Sequence, residues 1–281
     1  MKTGIVDVGG GLRDIYGAGV LDRCLDEGIR FDLCIGVSAG SANLASFLAG
    51  QRGRNYKFYT EYAFRKEYMS MNNFLHSRNY VGLDYAYSVL SNSGGEDPLD
   101  YGRFAADPAE FLVVASDAES GTVKYFTKAD ISQDHYDVCK ASCAIPFVCR
   151  PYPIGQRVYY DGALSDPVPV EKAAELGCDK IVVILTRPRN VVRAMGKDEM
   201  IAKRIRRKYP LAADNLLRRS ERYNAGVALA REYERQGRAL IVAPPSTGGL
   251  STLTRDKDAL DHFYRRGYAD AAAIGGFLAS T

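Results

Sequence analysis

The residue in this chain best suited to covalent chemistry is Ser38, in the turn Gly36-Val37-Ser38-Ala39-Gly40. An apolar run, Phe31 to Val37, precedes it, and a small-residue stretch, Ala39 to Ala49, follows. Strand before and helix after is the context in which a G-x-S-x-G turn lifts its serine hydroxyl off the end of a sheet. Gly36 and Gly40 permit the tight turn. The N-terminus of the following helix directs N–H groups and a positive dipole end to where negative charge develops. A second feature is Asp7-Val8-Gly9-Gly10-Gly11-Leu12-Arg13-Asp14. Consecutive glycines after a strand leave backbone N–H groups open to an anion, and Arg13 adds a fixed positive charge. That anion is either a phosphate or the oxyanion of an ester-cleavage intermediate. A dinucleotide loop calls for G-x-G-x-x-G, but Asp14 occupies the last position, and the Gly-Lys-Ser/Thr of a Walker loop is missing. A third feature, Tyr159-Tyr160-Asp161-Gly162-Ala163, sets a carboxylate at a strand end, although Asp-Gly is also a common turn.

A serine hydroxyl is a poor nucleophile without a base. The chain has three histidines: His76 in a tyrosine-rich stretch, His135 near a helix start, and His262 within a helical pattern. A Ser-Asp-His hydrolase usually carries its histidine on a late loop. The loop after Val242 offers Pro244, Pro245, Ser246, Thr247, Gly248 and Gly249 but no histidine. The ordinary triad therefore lacks an obvious base.

The elements that must position these residues follow from periodicity. Residues 3–8 read as a buried strand and 17–27 as a helix, with Val20, Leu21, Cys24 and Leu25 at helical spacing. Phe31 to Val37 is a second strand and Ala39 to Ala49 a second helix. Strand, glycine loop, helix, strand, serine turn, helix is the opening of an α/β fold with a parallel sheet. Residues 53–108 read as an excursion able to cover a site. Phe111 to Ser116 and Thr122 to Phe126 read as a strand pair, Arg157 to Tyr160 as a short strand, and Lys180 to Leu185 and Ala239 to Val242 as further strands. A helical region spans about 198–236, interrupted at Pro210, and 255–278 reads as a final helix. No linker divides the chain, so residues 1–281 are expected to form one domain.

Taken together, these features resemble the patatin-like phospholipases. The order is Gly9-Gly10-Gly11-Leu12-Arg13, then Gly36-Val37-Ser38-Ala39-Gly40, then Ala141-Ser142-Cys143-Ala144-Ile145-Pro146-Phe147, then Asp161-Gly162-Ala163. The resemblance implies a three-layer α/β/α fold with a central, mostly parallel sheet. It implies carboxylic-ester hydrolysis by a Ser-Asp dyad through an acyl-enzyme, with no metal and no cofactor. Ser38 becomes the nucleophile and Asp161 the general base, with Gly9, Gly10, Gly11 and Arg13 forming the oxyanion hole. One departure stands out: the family commonly has glycine after the loop arginine, where this chain has Asp14. A carboxylate facing an oxyanion would oppose it, so Asp14 must point away or the hole is impaired. Two other readings stay open: a catalytically silent lipid-binding or regulatory protein on the same scaffold, and an α/β-hydrolase with a His-based triad.

Composition narrows the partners. The net charge of +3 is too small for the electrostatic footprint of nucleic-acid binding. No apolar run reaches the roughly 18 residues that a membrane span needs. The start of the chain turns polar too soon for a secretory signal, so a cytoplasmic protein is expected. The six cysteines lack C-x-x-C pairing and read as reduced thiols. The stretch Arg187 to Lys208 carries nine basic residues and two acidic ones. It is either a solvated helix face or a surface for anionic lipid head groups. The expected partners are thus a lipid or acyl-ester substrate and peripheral contact with an anionic membrane surface. The tyrosines from Tyr56 to Tyr87 either pack or line an acyl pocket.

Overall fold

A computed structural model describes residues 1–280; Thr281, the last residue of the expected domain, lies outside the described residues. Eight strands form one mixed sheet: β1 (Thr3–Asp7), β2 (Leu33–Val37), β3 (Glu110–Asp117), β4 (Val123–Thr127), β5 (Tyr152–Ile154), β6 (Arg157–Asp161), β7 (Lys180–Ile184) and β8 (Ala239–Val242). The order is β5-β6-β3-β2-β1-β7-β8, with β4 also paired to β3. Strands β3, β2, β1, β7 and β8 run parallel to one another, whereas β4, β5 and β6 add antiparallel pairs.

Both faces of the parallel part are apolar and covered. Along β1, Ile5 joins one core and Val6 the other; along β7, Val182 and Ile184 face the first, and Ile181 and Val183 the second. This alternation is the period of a strand buried on both sides. Helices Ile15–Asp26, Ala39–Leu48 and Lys257–Asp270 cover the first face through Ile15, Leu44, Leu260 and Phe263. Helices Val170–Glu175 and Pro210–Arg235 cover the second through Val170, Ala173, Tyr223 and Val227. The layers are therefore helix, sheet, helix.

Register on β3 brings two distant segments together. Both β4 and β6 pair with Ala115 and Ser116, so they occupy opposite edges of β3. Likewise β2 and β4 both pair with residues 112–114, so β2 and β6 share one edge. The ladder passes from Val37↔Val114 to Ala115↔Asp161. The end of β2 and the end of β6 thus meet along the same edge, with Ser38 and Asp161 at the junction.

Several elements differ from sequence expectation. The final helical pattern is two helices, Lys257–Asp270 and Ala273–Ala279. The expected helical region does break at Pro210: one helix, Asp198–Ile205, ends ahead of it, and Pro210, with no N–H to donate, opens the 26-residue helix Pro210–Arg235. Strand β5 was not anticipated. A two-residue turn at Gly155-Gln156 joins it to β6 with Ile154 opposite Arg157, and Gly155 takes a φ of 59°. Glycine first in a two-residue loop is a recognised hairpin signal. Among the described residues, no helix is long and apolar enough to cross a membrane.

Candidate active site

Ser38 sits between β2 and helix Ala39–Leu48 at φ 56°, ψ −131°, a conformation that costs a non-glycine residue energy and fixes its hydroxyl. Tight packing on both sides enforces it. A Cβ on Gly36 would lie 2.4 Å from Ser41 Cα, and one on Gly40 2.4 Å from the Asp7 carbonyl oxygen. Ser142 supports the turn from below: its Oγ accepts from the Ser38 N–H at 2.8 Å and donates to the Val114 carbonyl at 2.6 Å.

The Ser38 Oγ donates to Asp161 Oδ2 at 2.6 Å. The other Asp161 oxygen accepts from the Ala163 N–H at 2.9 Å, which fixes the carboxyl plane. Both side chains are buried. Burial pushes the Asp161 carboxyl above the usual carboxylate range, countered by the Ser38 hydroxyl, the Ala163 N–H and the positive fields of Arg219 and Arg193. This is a stronger base than an exposed aspartate, already bonded to the proton it would accept. None of His76, His135 and His262 lines either cavity that opens at Ser38.

The glycine loop divides its work. The Gly9 N–H donates to Asp7 Oδ1 at 3.1 Å and the Gly9 carbonyl accepts from Thr186 Oγ1 at 2.7 Å, so Gly9 is not a free donor for an oxyanion. Its role is close approach: at φ 69°, a Cβ there would lie 2.2 Å from the Val37 carbonyl oxygen. Among the described residues, the N–H groups of Gly10 and Gly11 have no protein acceptor, and both glycines line the cleft beside Ser38. Arg13 lines it too, its Nε buried without a partner among the described residues. Burial, together with the charge of Arg187, lowers its pKa to about 10.

Asp14 does not line either cavity. It turns inward, fully buried, toward Asp7. A Cβ on Gly17 would lie 2.6 Å from Asp14 Oδ1 and 2.8 Å from Asp7 Oδ2. Asp7 Oδ2 and both Asp14 carboxyl oxygens have no hydrogen-bond partner among the described residues. Two adjacent buried carboxylates cannot both ionise, so the pair retains a proton. Burial raises Asp7 to about 6, and burial together with the Asp7 charge pushes Asp14 well above the usual carboxylate range. Asp14 thus belongs to a carboxyl pair beneath the loop, and its carboxyl does not face the cleft beside Ser38. Sequence reasoning found neither the role of Asp7 nor that of Ser142. The only available signal was an aspartate among apolar strand residues immediately before the glycines.

Two cavities meet at Ser38 and share Gly11, Ile145, Thr252 and Leu253. One is narrow, about 60 Å³, and lined by Phe58, Tyr59, Met69, Val81, Leu83 and Leu90 among others. The 53–108 excursion supplies these six residues, so its aromatic residues both pack and line a pocket. The other is a cleft of about 430 Å³ holding Arg13, Arg187, Arg193, Lys197 and Arg219. The basic stretch is thereby split. Arg187, Arg193 and Lys197 reach the cleft, while Lys203 pairs with Glu199 and Arg206 with Asp214 on the surface.

Residues 8–174 match the family described as patatin-like phospholipase. The chain belongs to that family. Residues 209–274 match a second family, DUF6363, a domain of unknown function. Its segment supplies Arg219 and Tyr223 to the cleft and Thr252 and Leu253 to both cavities. The curated Escherichia coli (strain K12) protein YjjU, described as uncharacterized, is 32% identical over 192 residues. That match covers 66% of this chain and 52% of YjjU, so the chain spans about half the length of this relative. Among solved structures, VipD from Legionella pneumophila has the same fold, with a TM-score of 0.50 at 14% identity over 97% of this chain and 66% of that one. The fold is thus the α/β architecture with a mostly parallel sheet expected for the family.

Proposed function

We propose that this protein is a lipid acyl hydrolase that cleaves carboxylic esters through a Ser38–Asp161 dyad. The observation that carries the proposal is the 2.6 Å hydrogen bond from Ser38 Oγ to Asp161 Oδ2, buried where an apolar pocket meets an open cleft. Ser38 attacks the ester carbonyl as Asp161 takes its proton. The N–H groups of Gly10 and Gly11 stabilise the oxyanion, with Arg13 adding positive charge. Each such donor contributes on the order of 3 kcal/mol to the transition state. Asp161 then returns the proton to the departing alcohol. It next takes a proton from water, which attacks the acyl-enzyme carbonyl, and passes that proton to Ser38 Oγ as the acyl–oxygen bond breaks and the fatty acid leaves. The apolar pocket takes the acyl chain, and the cleft takes the alcohol side.

Membership in a family described as phospholipases supports this reading over a silent binding protein. The position of Asp14 outside both cavities removes one motive for the silent alternative. A fluorophosphonate probe should label the wild type and leave Ser38→Ala unlabelled. Labelling of the variant, or no labelling of either, refutes the assignment.

A further inference from the structure

Three of the five cations in the cleft, Arg13, Arg187 and Lys197, form no ion pair among the described residues. Arg219 does: it grips buried Asp198 with both arms, at 2.5 and 3.1 Å, and Arg193 lies 4.0 Å from the same carboxylate. With Asp161 ionised, five cations therefore face two carboxylates. Like charges gathered in a cleft repel one another: burial first, and then the neighbouring cations (Arg187 for Arg13, Arg219 and Arg187 for Arg193), depress the basicity of Arg13 and Arg193. The buried Arg13 Nε, without a partner, adds a desolvation cost that a bound anion would relieve. Among the described residues, Tyr223 is the only aromatic one lining the cleft, so these residues form no aromatic cage for a quaternary ammonium group.

From this geometry we infer that the cleft selects substrates whose alcohol side bears a phosphomonoester a few carbons from the scissile ester, as in phosphatidate and lysophosphatidate. The inference rests on the hydrolase reading above and specifies its substrate. A dianion offsets the excess positive charge more fully than the single charge of a phosphodiester, and guanidinium groups bind phosphate through paired charge-assisted hydrogen bonds. A choline head group would bring a further cation into the cleft. Two of the cations, Arg13 and Arg219, come from the segments matched to the two different families, and Arg187, Arg193 and Lys197 from the chain between them. Head-group selection is thus a property of their combination.

The test compares kcat/KM for phosphatidate and phosphatidylcholine of identical acyl chains, each dispersed in the same neutral detergent. The expected preference for phosphatidate is tenfold or more, about the size of one charge-assisted hydrogen bond. Arg187→Ala and Lys197→Ala should each reduce that ratio severalfold. Arg207→Ala, which removes an exposed charge outside the cleft, should leave it unchanged. Calorimetric titration with glycerol 3-phosphate and inorganic phosphate provides a readout that needs no turnover. Glycerol 3-phosphate should bind the wild type and bind Arg187→Glu at least tenfold more weakly. Equal rates on the two lipids by an enzyme active on p-nitrophenyl butyrate overturn the head-group inference and leave the hydrolase reading standing. Binding of inorganic phosphate but not glycerol 3-phosphate, with no lipid preference, assigns the cleft to a free anion and likewise overturns it. Failure to hydrolyse any ester, with glycerol 3-phosphate binding intact, sustains the anion site and removes the hydrolase reading.

Discussion

Replacing Asp161 by asparagine separates the chemistry of the dyad from its architecture. Asp161 uses one oxygen to accept from the Ala163 N–H and the other to accept from Ser38 Oγ. Asparagine can keep the first bond through its carbonyl. Its NH2 group then faces Ser38 Oγ, and the second bond survives only if its direction reverses, with the hydroxyl accepting. The contact remains, but the Ser38 proton loses its acceptor. Removing a general base costs about 10²–10⁴ in rate, or about 2.7–5.5 kcal/mol of barrier. Stability should move the other way. Because burial raises the folded-state pKa of Asp161, the native protein binds this proton more tightly than the unfolded chain does. The stabilisation from this group is complete below the unfolded value of about 3.9 and is lost as pH rises through the raised folded value. At neutral pH the ionised carboxylate therefore weakens the fold, and the amide relieves that cost. A gain of about 0.5–2 kcal/mol is usual for such trades, each kcal/mol shifting Tm by about 2–4 °C in a chain of this size. The assays are kcat/KM on p-nitrophenyl butyrate and thermal melting at pH 7. Loss of activity with an unchanged or raised Tm is expected. An Asp161→Asn protein that keeps more than a tenth of the wild-type rate would falsify the base assignment, and a large fall in Tm would refute the burial argument.

Other consequences are equally direct. With Asp161 as the proposed base, the acid limb of the wild-type kcat/KM profile should fall above the ordinary aspartate value, activity appearing as pH rises through its raised pKa. Ser142→Ala leaves the Ser38 N–H and the Val114 carbonyl without their partner. It should cost about 1–3 kcal/mol in chemical denaturation, with slower fluorophosphonate labelling at Ser38 because the turn loosens. The Asp7–Asp14 pair should make the fold less stable as pH rises from the unfolded carboxylate value of about 3.9 through the raised folded values, which for Asp7 is about 6. Asp14→Asn should flatten that slope in melts recorded from pH 5 to 8; an unchanged slope would place the proton elsewhere. Ala42 lines the apolar pocket, so Ala42→Leu should shift activity on a p-nitrophenyl ester series toward shorter acyl chains.

What could be read from the sequence and what could not differ in kind. Strands β1, β2, β3 and β7 announce themselves as short apolar runs, because both faces of the sheet are covered and no polar alternation dilutes the signal. The serine turn is legible because its glycines and flanking elements are contiguous. Asp161 in isolation looks like any Asp-Gly turn, and only the order of the other motifs gives it weight. Strand β5 spans three residues, too short for periodicity, and only Gly155 marks it. The split at Ala271–Ala272 has neither proline nor glycine to signal it. The inward turn of Asp14 depends on Asp7 and Gly17 meeting beneath the loop, which spacing along the chain does not encode. The cationic cleft gathers residues from 13 to 219, and a run of basic residues cannot say which of its members face inward.

The junction on the edge of β3 also bears on how the molecule becomes active. Ser38 and Asp161 are 123 residues apart in sequence, and their meeting depends on β6 docking where β2 ends. A slip of β6 by one residue would turn the Asp161 side chain to the opposite face of the sheet. A nascent chain that has completed only β1, β2 and the serine turn therefore holds Ser38 without the Ser142 support and without the proposed base. During synthesis the proposed catalytic centre stays inert until the late strand arrives in register. In refolding, esterase activity should return as a reporter of that single long-range pairing, after the secondary structure has formed.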